Sequence, residues 1–155
     1  MSALIDLGTN YLVLQPLIEA QLRSELAADK IPVEGIEEID QAGAEDQRPK
    51  VVFVCWAGDR FPQAESGRVL STGAQLVYQQ WLVMLHLRNA GQVNRDARNQ
   101  QAGQLLARLH RSLSGWSPVN QPGATQRFRR ITGPKPDYTK VSGLYPLAFE
   151  IPLQL

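Results

Sequence analysis

The sequence predicts an α+β fold: a mostly antiparallel sheet packed by two main helices. Three observations lead there. Two stretches carry apolar residues at helical spacing, several others carry β-branched and aromatic residues at strand spacing, and the strands come in runs instead of alternating strictly with helices. No internal repeat is present, so a solenoid or propeller is excluded. At 155 residues, the chain has the length of a single domain, expected to span 1–155. Its 43% hydrophobic and 20% charged content is an ordinary globular mix.

The first helix is read from Leu14, Leu17, Ile18, Leu22 and Leu26, with Glu19, Gln21, Arg23 and Glu25 off the stripe. Pro16 suits the first turn of a helix, which starts the regular part near Gln15. Thr9 and Asn10 either cap it or form a separate turn. Pro32 ends it by Asp29 or Lys30. A short strand is expected over Val33–Ile39, then a polar loop over Gln41–Arg48. Lys50–Trp56 is apolar on both parities, the mark of a strand covered on both faces. Gly58, Asp59 and Pro62 are expected to break it from Ala57 onward.

Gln75–Arg88 is the longest extended segment. Its β-branched and aromatic content, and the Asn89-Ala90-Gly91 stop, favour a strand over a helix. Its length suggests a projecting hairpin or a strand running past the sheet edge. Asn94 is placed as the cap of a second helix with Ala97, Ala102, Leu105, Leu106, Leu109 and Leu113 on its stripe, and Gly115 as its stop. Trp81, Val83, Leu85, Val52, Val54, Leu105 and Leu109 should share one core. Gln126–Ile131 and Leu144–Leu153 read as the last strands, separated by a turn at Gly133–Asp137. Pro146 and Pro152 place the final strand at an edge, or bulge it. The segments Gly58–Gly73 and Ser117–Thr125, rich in glycine, proline and polar residues, are expected to be mobile loops.

Few function classes survive. The sequence carries no phosphate-binding loop, dinucleotide fingerprint, zinc-protease motif, paired cysteines or nucleophile elbow. Neither a catalytic residue, a cofactor site nor a metal site is therefore assigned. His86 and His110 lie beside leucines, where structural histidines are common. The single cysteine, Cys55, sits in the apolar run Val51–Trp56 and reads as a small buried hydrophobe folding in a reducing cytoplasm. No segment reaches the roughly 20 apolar residues of a membrane span, and Met1–Asp6 lacks the basic start of a signal peptide. The acidic group Glu34, Glu37, Glu38 and Asp40 reads as a solvated strand face.

Charge is divided along the chain. Residues 1–50 hold ten acids against four bases, a net charge of −6, and the remainder holds five acids against twelve bases, a net charge of +7. Such a division either places opposite charges on opposite faces, favouring head-to-tail self-association, or interleaves on one surface and cancels. The arginines Arg127, Arg129 and Arg130, with Arg60 and Arg68 from the Gly58–Gly73 segment, form the candidate partner interface. Phe128 among arginines resembles a nucleic-acid surface, but no recognition fold accompanies it, so no specific nucleic acid is expected. Arg129 is read as an exposed side chain whose charge reversal would leave stability unchanged.

The order of segments resembles a known family. An amphipathic helix is followed by the acidic strand Val33–Ile39 and then by Pro49-Lys50-Val51-Val52-Phe53-Val54. Next come the long Gln80-Trp81-Leu82-Val83-Met84-Leu85-His86-Leu87-Arg88-Asn89 segment and a helix holding Leu105-Leu106-Ala107-Arg108-Leu109. The strand Tyr145-Pro146-Leu147-Ala148-Phe149-Glu150-Ile151 closes the series. This order, over nearly the whole chain, looks like the tail terminator proteins of long-tailed phages, particularly the Mu-like group. The resemblance implies an α+β protein that assembles into a hexameric ring, caps the tail tube, ends its elongation and presents a surface for head joining, without cofactor or catalysis. It implies partners in a second copy, the tail tube protein and a head-completion or connector protein, and a place at the head-proximal end of the virion tail after assembly in the host cytoplasm. A head–tail connector or tail-completion protein would share this interaction-only chemistry. A small enzyme or nucleic-acid-binding module built from scattered residues is the remaining alternative.

Overall fold

The first helix, α1 (Leu14–Leu26), buries Leu14, Ile18, Leu22 and Leu26, one residue per turn. Leu17 belongs to the expected stripe but points outward, 39% exposed. The computed structural model describes residues 5, 7, 10–42, 47–62, 76–88, 95–119 and 124–154. Ahead of α1, the Asn10 side chain accepts the Leu12 N–H at 3.1 Å, so Asn10 forms a separate turn and does not cap the helix. Thr9 lies outside the described residues. A 3-10 turn, Ala27–Asp29, closes the helix before Pro32, as expected.

Among the described residues, six strands make one sheet: β1 (Val33–Ile36), β2 (Lys50–Arg60), β3 (Leu76–Arg88), β4 (Arg129–Ile131), β5 (Asp137–Tyr138) and β6 (Ser142–Gln154). Their order is β1-β2-β3-β6-β4, with β5 also paired to β6. Among the described residues, only the β1–β2 pair is parallel. The second helix, α2 (Arg95–Leu113), lies over β3 and β6, while α1 lies over β1 and β2. The fold is α+β, as the sequence predicted.

Trp81, Val83, Leu85, Val52, Val54, Leu105 and Leu109 all belong to the one large cluster between helices and sheet. Ala102, Leu105, Leu109 and Leu113 form the buried line of α2, and Ala97 faces outward. The Asn94 cap lies outside the described residues. Gly115 follows α2 with φ of 79°, a conformation that glycine adopts without a Cβ penalty.

Four expectations need correction. The acidic strand is shorter than Val33–Ile39, ending at Ile36 before a 3-10 turn over Ile39–Gln41. The strand from Lys50 does not break at Ala57. A register shift between Trp56 and Gly58 absorbs one extra residue, with Gly58 at φ of 103°, and pairing with β3 continues to Arg60. Nor does β3 run past the sheet, since β6 pairs with it from Leu76 to Arg88.

The last correction concerns β6, which is interior, between β3 on one side and β4 and β5 on the other. Its prolines are tolerated because that second side is discontinuous. β4 covers Ala148–Glu150 and β5 covers Gly143–Leu144, so Pro146 and Pro152 fall where no strand asks for an N–H.

The sheet face away from the helices carries a smaller cluster of Ala42, Val51, Phe53, Cys55, Leu82, Met84 and Ala148. β2 is therefore apolar on both parities because both its faces are buried, as its sequence implied.

Candidate functional site

The register lays the outer face out in rows. Ile36, Cys55, Leu82, Ala148 and Ile131 form one row from edge to edge. The next holds Gly58, Gln80, Glu150 and Arg129, and the one beyond it Arg60, Tyr78 and Pro152. The bulge matters here. By adding one residue it turns Arg60 to the same face as Tyr78 and Glu150, whereas an unbroken alternation from Phe53 and Cys55 would have turned it away.

Glu150 is the centre of this corner and is only 1% exposed. Arg60 donates from Nε to Oε2 at 3.3 Å and from Nη2 to Oε1 at 2.9 Å. Arg129 donates from Nε to Oε1 at 2.7 Å and also from Nη2. Both guanidiniums lie over the Tyr78 ring, with Cζ at 4.1 Å for Arg60 and 5.1 Å for Arg129. Burial pushes the Glu150 carboxyl up, and the hydrogen bonds from Arg60 and Arg129 with their charges more than offset this, leaving it below its ordinary value. The same contact raises the Arg60 pKa.

A carboxylate engaged in this way is ionised and has both oxygens occupied. It suits neither general-acid work nor metal binding, and two arginines against one acid leave the corner net positive over the Tyr78 ring.

The sequence-predicted arginines do not form one patch. Arg60 and Arg129 meet at Glu150. Arg127 instead donates to the carbonyls of Gly115 at 2.8 Å and Ala124 at 2.9 Å. There it helps close the end of α2, where Trp116 stacks on Phe128 with centroids 5.7 Å apart. Arg130 is exposed, its Cζ 6.0 Å from the Phe149 ring. Arg68 lies outside the described residues, as do 63–73 of the first expected loop and 120–123 of the second. Gly58–Arg60 of that first loop belong to β2.

The reading of Arg129 as an exposed side chain that adds little to the fold is corrected by its contact with Glu150. Arg129 is 58% exposed, yet it neutralises a buried acid.

Sequence reasoning missed Glu150 and Tyr78. A signal existed: one acid inside Leu147-Ala148-Phe149-Glu150-Ile151 must find a cation if that strand is buried. It also missed a polar knot on the helix side, where the Tyr11 hydroxyl donates to Asp59 and Gln79 accepts from the Trp81 indole at 3.0 Å. Burial, with the Asp59 bond, pushes the Tyr11 hydroxyl up to about 12.

The acidic group is dispersed among different partners. Glu34 pairs with Arg48, Glu38 caps the turn ending at Gln41, and Glu37 is exposed. Among the described residues, no three His, Cys, Asp or Glu side chains gather as a metal site. Cys55 is buried as expected, and burial, with the nearby Glu38 charge, raises its thiol pKa. His86 is buried beside Phe53, with centroids 6.5 Å apart. It lines a cavity of about 190 Å³ with Asp40, Asp137 and Thr139. No described helix is long and apolar enough to cross a membrane.

Comparison with known proteins adds one finding. The family model described as phage tail terminator protein matches residues 9–155. Among curated proteins, none matches the chain.

Proposed function

We propose, because this chain belongs to the phage tail terminator protein family, that it forms a ring on the end of the tail tube, stops elongation and offers the surface to which the head is joined. The coarser part is already given by membership: the chain is a structural protein of a phage tail. The observation that carries the reading is the family match over 9–155, nearly the full length.

In this reading residues 1–155 act as one unit, and its work is binding without a catalytic step or cofactor. The partners are further copies of itself in a hexameric ring, the tail tube protein and a head-completion or connector protein. No membrane or specific nucleic acid takes part. The chain is made in the host cytoplasm and ends at the head-proximal end of the tail.

Electron micrographs of particles from a phage lacking this chain test the reading. Tubes of unregulated length, with heads unjoined, are the expected result. Tails of normal length that fail to meet heads would favour a connector or tail-completion role. Normal tails joined to heads would reject every one of these roles.

A further inference from the structure

The two edges of the sheet carry opposite charge at the same height. At one edge, β1 and the turn after it (residues 33–41) hold the exposed acids Glu34, Glu37, Glu38 and Asp40. Arg48 pairs with Glu34 and Arg23 donates to the Val33 carbonyl, so Glu37, Glu38 and Asp40 carry the acidic excess of this edge. At the other, β4 and its approach hold Arg127, Arg129 and Arg130 and no acid, and all three are exposed. Among the described residues, no strand pairs with the outer side of β1 or of β4.

The register fixes their relative level. Ile36, the last residue of β1, and Ile131, the last of β4, terminate the same transverse row. β1 runs parallel to β2 and hence to β6, while β4 runs antiparallel to β6, so Glu37 follows that row on the same side from which Arg130 approaches it.

From this arrangement we infer that the ring contact joins the acidic β1 edge of one copy to the basic β4 edge of the next, with Glu37 facing Arg130. The inference rests on the ring proposed above and names its surface. Two different patches on one protomer make a heterologous contact, which repeats around an axis and closes into a ring when the rotation allows. Charges on edge strands commonly guard a sheet against pairing with its neighbours. A lone edge charge guards because pairing would desolvate it, whereas opposite signs at one level attract. Arg130 is the available member of its cluster, since Arg129 is bound to Glu150 and Arg127 to two carbonyls.

Charge reversal tests the contact. Wild type, Glu37→Lys, Arg130→Glu and an equal mixture of the two variants are compared by mass photometry and by electron microscopy of assembled tails. Each variant alone should assemble at least about tenfold more weakly than wild type, since reversal sets like charges face to face. The mixture should assemble again, because rings that alternate the variants restore every opposite-charge contact. Recovery in the mixture also shows that both variants are folded. Wild-type rings alongside unimpaired variants, or a mixture no better than its components, would overturn this contact while leaving the ring itself standing. Wild type without a cyclic form, both in solution and on tails, would overturn the ring and the contact together.

Discussion

On the helix-covered face of the sheet, Val52, Val54, Trp81, Val83, Leu85 and Phe149 meet the buried lines of α1 and α2. On the opposite face, apolar rows give way within two residues to Glu150, Arg60, Arg129 and Tyr78. The first face depends mainly on shape and apolar area, with the Trp81–Gln79 and Tyr11–Asp59 hydrogen bonds at one end, so its stability is spread over many side chains. The second adds to its smaller apolar cluster one ion cluster, where a buried acid commits two half-exposed arginines to the fold. Exposure is therefore a poor guide to what a charged side chain contributes; the burial of its partner decides.

Truncation on the helix face should have the largest effect. Leu109→Ala opens a cavity between α2 and the sheet and should cost about 2–5 kcal/mol in a two-state unfolding measurement. A change below about 0.5 kcal/mol would place Leu109 outside the cohesive core. On the other face, breaking a buried ion pair typically costs about 3–5 kcal/mol, and because Arg60 remains on Glu150, Arg129→Glu should cost less, about 1–3 kcal/mol. The same change in a Glu150→Gln background should cost much less, because the acid it repels is gone. Equal losses in both backgrounds would remove Glu150 as the cause.

The helix face was legible because period and chemistry agree there. Leu14, Ile18, Leu22 and Leu26 repeat every four residues, and Val52 and Val54 alternate, so a local rule yields a global contact. The charged corner was not legible, for two physical reasons. The bulge at Gly58 reverses the parity of Arg60, and a single inserted residue leaves no periodic trace. Glu150 and Arg60 are ninety positions apart, and nothing local pairs them. Pro146 and Pro152 misled for a related reason. Proline excludes one hydrogen bond on one side of a strand, and on that side Pro146 falls in the gap between β4 and β5 and Pro152 beyond β4. The acidic first third and the basic remainder of the chain were visible in sequence, but that residues 33–41 and 127–130 lie at opposite edges needed the strand order. Elsewhere the two portions interleave, as Arg108 does with Glu25 and Asp29.

A pH series separates the two faces again, with a smaller effect. The Glu150 carboxyl has its pKa lowered in the folded protein. Its stabilisation is therefore complete above the ordinary glutamate value of about 4.3 and is lost as pH falls through the lower folded value. Thermal midpoints of wild type should fall more steeply than those of Glu150→Gln as pH drops below about 4.3. Leu109→Ala should keep the wild-type slope, since it touches no titrating group. Parallel wild-type and Glu150→Gln curves would contradict the assignment.

The smallest effect is expected at a second arginine cluster, where the composition is inverted. Arg108 of α2 donates from Nη1 to Asp29 at 2.6 Å, lies 3.5 Å from Glu25 through Nε, and reaches the Glu25 carbonyl at 2.9 Å through Nη2. One cation here serves two acids, as two cations serve Glu150. Both carboxylates are 41% exposed, however, and water compensates either one when the arginine is removed. Arg108→Ala should therefore cost under about 1 kcal/mol, part of it from the carbonyl at the end of α1. Salt sharpens the contrast. At about 1 M salt the screening length is near 3 Å, so the charge part of the Arg108→Ala loss should shrink. The Arg129→Glu loss should largely persist, because a buried carboxylate is screened far less. If Arg108→Ala costs as much as Arg129→Glu and is equally indifferent to salt, burial of the partner is not what separates the two clusters.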